Sequence, residues 1–354
     1  MMRGQLPRPD EGLSTAVATI NDVARAAGVS AATVSRVFNG GRVTAELAER
    51  VLRSAAELRF APNRVARALR MQRSSVITLI VPDIRNPYFT ALARGVEDAA
   101  QQKNHSVVLC NSDEDLDKER RYLDTALAEQ TAGVIIAAAS RSHTDLSRFT
   151  GMPVVAVDRR PLGSAVDAVM IDNQHGGEQA TAHLLRSGYR RIACITGPEG
   201  TSAAEERLTG YRVAMGEHLR ELGVDQAQLR ALIRYADVGP GGGRDAMCDL
   251  LAMEEPPDAV FVTNDLMAVG VLEALRAADR EPPRTGVLSF GDLPWASLVG
   301  SSLSTVEPPS YDLGRTAVDL LLERIAGKDR PQQTVVLQTT LQVRSSSTGP
   351  SPCP

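Results

Sequence analysis

The segment from Thr19 to Asn39, TINDVARAAGVSAATVSRVFN, restricts the local fold more tightly than any other stretch of this chain. Ile20, Val23, Ala24 and Ala27 recur at i, i+3, i+4 and i+7, the spacing of one apolar helix face. Gly28 comes next, where a left-handed residue would end that helix. Val29 then falls in a three-residue turn, and Ser30 stands where an N-cap hydroxyl would satisfy the free amides of a second helix. The inward positions of that second helix are Val34, Val37 and Phe38. Two short helices across such a turn make a helix-turn-helix. Its outward row, Ala31, Ala32, Ser35, Arg36 and Asn39, sets small residues around one arginine and one asparagine. This face fits a DNA major groove, where Arg forks onto guanine and Asn onto adenine. Taken alone, the spacing also suits an ordinary helical hairpin with a solvated face.

The next residues along the chain narrow the choice. Thr44 opens a third helix, with Glu46 in its first turn and Leu47, Val51, Ala55 and Leu58 along one side, so a three-helix unit can close. Phe60, Ala61, Pro62 and Asn63 lead into RVARALR. In the helix-turn-helix, the third helix and this PNxxARxL run, the chain resembles the LacI/GalR family of bacterial transcriptional regulators; the likeness extends more loosely to about residue 345. The resemblance implies a homodimer, or a higher oligomer, on a palindromic double-stranded operator. Its DNA-facing set maps onto Thr19, Ser30, Ala31, Ala32, Thr33, Ser35, Arg36, Asn39, Arg42, Asn63, Arg64, Ala66, Arg67 and Leu69. Leu69 matches the family's lever residue, an apolar wedge for a central base step. Asn63 to Arg70 makes barely two helical turns, marginal in water, so this hinge is expected to order on DNA. Ala31 and Ala32 stand where many relatives carry longer base-reading side chains, which leaves Arg36 most of the polar readout.

Length and charge agree with that division. A chain of 354 residues is long for one DNA-binding unit. Residues up to 75 hold twelve Arg against six Asp or Glu, a net of +6 inside a chain whose formal charge is -4. The polyanion-binding character is therefore amino-terminal. Cys110, Cys194, Cys248 and Cys353 show no paired metal spacing, and no signal peptide or long apolar span is evident. These features predict a cytoplasmic protein with no membrane partner. Enzyme signatures are missing as well: GPGGGR at Gly239 to Arg244 departs from both phosphate-cradling and dinucleotide motifs, and no GxSxG elbow occurs. His105, His143, His175, His183 and His218 lack i, i+4 ligand partners and are expected on surfaces or loops. No catalytic residue, metal or cofactor is expected.

From Ser75 onward, buried-strand runs (VITLIVPDI, SVVLCNS, GVIIAAAS, PVVAVDRR, DAVMIDN, RIACITG, DAVFVTND, GVLSF) alternate with amphipathic helices. This predicts doubly wound parallel α/β sheet, in an amount that suggests two similar lobes. The resemblance implies a two-lobed sensor domain like a periplasmic binding protein, with crossovers near Asp172 to Gly176, Ser302 to Pro308 and Arg330 to Thr334. The expected organisation is a disordered tail (1–17), an all-α helix-turn-helix domain (18–61), a hinge helix (62–74), the α/β effector and dimerisation domain (75–345) and a second disordered tail (346–354). Ligands in such sheets sit at the carboxyl ends of strands. There the resemblance maps a small-molecule effector, a sugar or sugar derivative, onto Tyr88, Phe89, Asp158, Arg207, Asn264, Asp265 and Asp292. Gly291 stands where the family carries an effector-binding Asp, so either Asp292 substitutes or the effector lacks the matching hydroxyl pair. A regulator whose sensor no longer takes a small molecule is the alternative reading.

Overall fold

A computed structural model describes residues 18–38, 41–60, 74–199, 202–222, 226–291, 302–328 and 330–349. They belong to two compact units, 1–72 and 73–354. Asn39, the hinge positions Asn63, Arg64, Ala66, Arg67 and Leu69, the expected tail 1–17 and Asp292 lie outside the described residues.

The first unit holds α1 (Ile20–Ala27), α2 (Ala31–Phe38) and α3 (Ala45–Glu57). Thr19 and Asp22 cap α1 reciprocally, with the Asp22 amide donating to Thr19 Oγ1 at 3.3 Å and the Thr19 amide to Asp22 Oδ2 at 2.9 Å. Gly28, at φ +63°, closes it. Ser30 Oγ accepts from the Thr33 amide at 3.1 Å and starts α2. Val23, Val34 and Val51 are fully buried between the helices, and the rings of Phe38 and Phe60 meet at 5.7 Å. Leu58 is not part of this core. The chain leaves α3 at Glu57 and turns through Arg59 at φ +50°, which leaves Leu58 exposed and brings Phe60 inward.

The second unit contains two six-stranded sheets. In the first lobe the order is β11 (Thr334–Leu337), β5 (Asp167–Ile171), β4 (Val154–Val157), β3 (Gly133–Ile136), β1 (Val76–Val81) and β2 (Ser106–Asn111), all parallel. In the second it is β12 (Thr340–Gln342), β10 (Ser304–Glu307), β9 (Gly286–Phe290), β8 (Ala259–Val262), β6 (Ile192–Thr196) and β7 (Ile233–Tyr235), with only β12 antiparallel. Helices α4 (Pro87–Gln102), α5 (Leu116–Ala128) and α11 (Ser310–Ile325) cover the first lobe. The second carries α6 (Asn173–Arg186), α7 (Ser202–Leu222), α8 (Gln226–Ala231), α9 (Pro240–Leu251) and α10 (Asp265–Ala277). The central strands are buried on both faces, which is why they read as unbroken apolar runs.

Three expectations need correction. The chain crosses between lobes at Asp172, at Pro308–Pro309 and at Gln338–Thr339. The third crossing is not at Arg330 to Thr334, because TVVL and TLQ form short, half-exposed edge strands without a continuous apolar run. The segment from 346 to 349 is not a loose tail. Ser345–Ser347 form one 3-10 turn in which Ser346 and Ser347 are fully buried, with Ser346 Oγ donating to the Val287 carbonyl at 2.7 Å. His183, expected on a surface, is buried within α6, its Nε2 2.8 Å from Ser347 Oγ, and burial lowers its pKa.

Candidate functional site

In the first unit, α2 presents Arg36 and Ala32 as exposed residues, with Ala31, Thr33 and Ser35 half-buried beside them. Thr19, Ser30 and Arg42 are also exposed, although the Thr19 and Ser30 hydroxyls are committed to the helix caps. Val34 anchors the opposite face in the core. The helix therefore offers one flexible cation on an otherwise small-residue surface, narrow enough to lie in a groove.

In the second unit, polar groups converge at the carboxyl ends of both sheets. Asn86 caps α4, its Oδ1 accepting from the Tyr88 amide at 2.9 Å, and this aims the Tyr88 ring at the end of β4. There the Tyr88 hydroxyl donates to Asp158 Oδ1 at 2.8 Å. Burial, reinforced by the Asp158 charge, pushes the Tyr88 pKa well up and keeps it a donor. Arg159 Nε lies 3.5 Å from Asp158 Oδ2, and its fork holds Glu114 at 2.8 and 3.0 Å. Phe89 does not share the site. It turns into the first-lobe core, 5 % exposed, with its ring edge-on to Tyr88 at 4.9 Å. One helix position along from Tyr88 is about 100° around the axis, enough to turn Phe89 from the cleft into the core.

On the second lobe, Arg207 Nε donates to Asn173 Oδ1 at 2.9 Å and Nη1 to the Thr263 carbonyl at 2.7 Å. Its guanidinium carbon lies 3.6 Å from the centroid of the Phe290 ring, a stacked cation–π contact. Asn173 Nδ2 in turn donates to Glu206 at 3.1 Å. Arg207 reaches this place because α6 and α7 cross backbone to backbone: a side chain at Gly177 would overlap the Arg207 main chain, and one at Gly210 the Gln174 main chain. Burial lowers the Arg207 pKa, opposed by Asp158 and Tyr88 of the first lobe and by Asp265 and Glu206 of the second. These groups are thus close enough to feel one charge. Asn264 caps α10, accepting from the Leu266 and Met267 amides, and Asp265 is buried behind it. Asn173, Glu206, Arg159 and Phe290 were absent from the sequence-derived set. Arg159 stands next to Asp158, but the other three reveal themselves only by folding.

A cavity of about 300 Å³ opens beside Tyr88, Asp265, Gly291 and the Glu307–Pro309 crossover. A larger one, about 640 Å³, lies at the amino ends of β4 and β5, lined by Leu146, Phe149, Leu162, Asp167, Arg324 and Arg330. Two of its cations are already ion-paired, with Arg324 Nε 2.8 Å and Arg330 Nη2 3.0 Å from the Asp167 carboxylate. The smaller cavity is the better ligand candidate, because it sits at the strands' carboxyl ends with polar groups from both lobes. Among the described residues no group of His, Cys, Asp and Glu is placed to hold a metal ion, and no helix is long and apolar enough to cross a membrane.

Two family profiles cover nearly all of the chain: bacterial regulatory proteins of the lacI family at residues 19–63, and periplasmic binding proteins and sugar binding domain of the LacI family at 74–344. The ribose operon repressor of Escherichia coli (strain K12) is 35% identical over 339 residues, spanning 94% of this chain and 100% of that one. Among solved structures, the transcriptional regulator CelR–cellobiose complex is similar with a TM-score of 0.69 and 32% identity, over 93% of this chain and 99% of that one. The lac repressor dimer bound to operator and the anti-inducer ONPF gives a TM-score of 0.82 at 25% identity, over 94% and 99%.

Proposed function

The chain belongs to the LacI family of bacterial regulatory proteins, and from that premise we propose that it is a transcriptional repressor, binding a palindromic operator as a homodimer under the control of a sugar or sugar derivative held between its lobes. The observation that carries the ligand half is the cavity that Tyr88 of one lobe shares with Asp265 of the other, flanked by the Tyr88–Asp158 and Arg207–Asn173 hydrogen bonds. Such groups suit a polyol: carboxylates accept from hydroxyls, and a guanidinium donates to ring and hydroxyl oxygens. A ligand gripped by both lobes favours one interlobe angle, and it shifts operator affinity only by its differential affinity for the two forms.

For DNA, Arg36 is the base-reading residue, Ala31 and Ala32 supply methyl contacts, and Thr19, Ser30, Thr33, Ser35 and Arg42 surround them. Asn39 enters from the outward row of the helix-turn-helix spacing, and Asn63, Arg64, Ala66, Arg67 and Leu69 through the resemblance alone. The twofold contact is assigned to the exposed sheet edges, Val108 and Leu109 on β2 and Tyr235 on β7, since an apolar edge strand invites a partner. The proposal places the protein in the cytoplasm with its DNA and gives it no catalytic step, because the cleft's ionisable groups are paired for binding.

Selection from a random DNA library tests the operator half; a palindrome with half-sites about one turn apart is expected, and no enrichment refutes it. For the ligand half, Arg207→Ala should keep operator binding and lose the response to any sugar that shifts the wild type. An unchanged response would place the ligand elsewhere.

A further inference from the structure

We propose that Thr339 acts as a spring in the interlobe hinge: its hydroxyl, buried without a hydrogen-bond partner in the present arrangement of the lobes, gains one when they reorient, and so biases the pair toward the other arrangement. The inference rests on the reading of the chain as a regulator whose two lobes change their angle.

Gln338 and Thr339 are the two residues between β11, in the sheet of the first lobe, and β12, in the sheet of the second. Both sides of this link are held. Upstream, β11 pairs with β5, the Asp172 amide donates to the Leu337 carbonyl at 3.0 Å and Gln338 Nε2 to Asp172 Oδ2 at 3.3 Å, so the first and third crossings run side by side. Downstream, β12 pairs with β10, the Arg344 amide donates to Ser304 Oγ at 2.8 Å, and Ser346 and Ser347 are buried. A change of interlobe angle at this crossing is therefore absorbed in the backbone torsions of two residues, as is usual for hinges.

Thr339 is 8 % exposed, and its Oγ1 is buried with no hydrogen-bond partner among the described residues. A Cβ at Gly176 would lie 3.0 Å from Thr339 Oγ1, 2.7 Å from Phe290 Cε2 and 3.2 Å from Val306 Cγ1. The hydroxyl thus faces a corner of bare helix backbone, ring edge and methyl group. A buried hydroxyl left unpaired is unfavourable, and the penalty vanishes once rotation at the hinge lets it reach water or another acceptor. The same Phe290 ring carries the Arg207 guanidinium on its face, 3.6 Å from the centroid. A ligand that moves Arg207 therefore acts on the wall of the pocket that confines the hydroxyl.

The test reads the interlobe distance directly on the full chain, without ligand or DNA. Spin labels are attached to Glu129→Cys in the first lobe and to Cys248 in the second, both exposed positions, with Cys110→Ser and Cys353→Ser, and labelled protein is diluted with unlabelled. Pulsed dipolar spectroscopy then compares this protein with the same protein carrying Thr339→Val or Thr339→Ser, and thermal melting checks that each is folded. Two distances are expected with threonine at 339. Thr339→Val, similar in shape but without the hydroxyl, should raise the ratio of the present arrangement to the other by about 5- to 150-fold, the range for a buried polar group left unpaired. Thr339→Ser, which keeps the hydroxyl, should keep the ratio. Two distances whose ratio Thr339→Val leaves unchanged overturn the inference alone, as does an equal shift in Thr339→Ser, which would trace the effect to the methyl group. One distance in all three proteins overturns the inference together with the reading that the lobes reorient.

Discussion

Gly177→Ala gives the sharpest link between packing and the site. The α6–α7 crossing leaves no room there: the added carbon would stand 3.0 Å from the Arg207 carbonyl carbon, 3.1 Å from its Cα, and closer still to the oxygen. Restoring contacts of about 3.5–4.0 Å requires the helices to part by roughly 0.5–1 Å. Backbone cannot swing aside as a side-chain tip can, so the usual overpacking cost of about 1–3 kcal/mol applies. At roughly 2–4 °C per kcal/mol for a unit of this size, the unfolding temperature should fall by about 2–12 °C. Arg207 rides on the displaced helix, and its bonds to Asn173 and the Thr263 carbonyl, at 2.9 and 2.7 Å, have no slack. Calorimetric melting and sugar titration of the same samples should therefore show loss of stability and of ligand affinity together. Gly210→Ala, which meets Gln174 and Glu178 across the same crossing, should behave alike. Full ligand affinity in a destabilised Gly177→Ala protein would refute the idea that this crossing positions Arg207.

Other perturbations separate the remaining parts. Arg36→Ala should cost about 1–3 kcal/mol per half-site and relax preference at one base pair, read by binding to a panel of single-base operator variants; a uniform loss across the panel would make Arg36 a phosphate contact. Leu109→Glu on the exposed β2 edge should shift sedimentation from dimer to monomer and weaken operator binding at dilute protein, whereas an intact dimer would move the interface elsewhere. Burial opposes ionisation of Asp167, but Arg324, the Gln333 amide and Arg330 outweigh it and lower its pKa to about 2. With the folded value below an ordinary Asp near 3.9, its contribution of roughly 2 kcal/mol is complete above pH ~4 and lost as pH falls toward 2. The stability gap between wild type and Asp167→Asn in urea unfolding should close over that window, and a gap independent of pH would exclude the linkage.

Sequence alone determined the helix-turn-helix, because its caps and its apolar stripe are interactions between residues three and four apart: Thr19 with Asp22, Ser30 with Thr33, and Val23 with Ala27 on one face. It also determined most of the interior strands, which announce themselves as apolar runs because both faces are covered; interior β10, STVE, escaped it because its buried Ser304 and Thr305 break the apolar run. The edge strands β7, β11 and β12 were invisible, being three or four residues long and half exposed. The site divided along the same line. Tyr88, Asp158 and Arg207 were legible through family motifs, but the inward turn of Phe89 and the partners Asn173, Glu206 and Phe290 were not. That Gly291 and Asp265 are neighbours was decided only in three dimensions, when β8 and β9 pair and their carboxyl ends come side by side, because strand pairing joins residues far apart in the linear sequence.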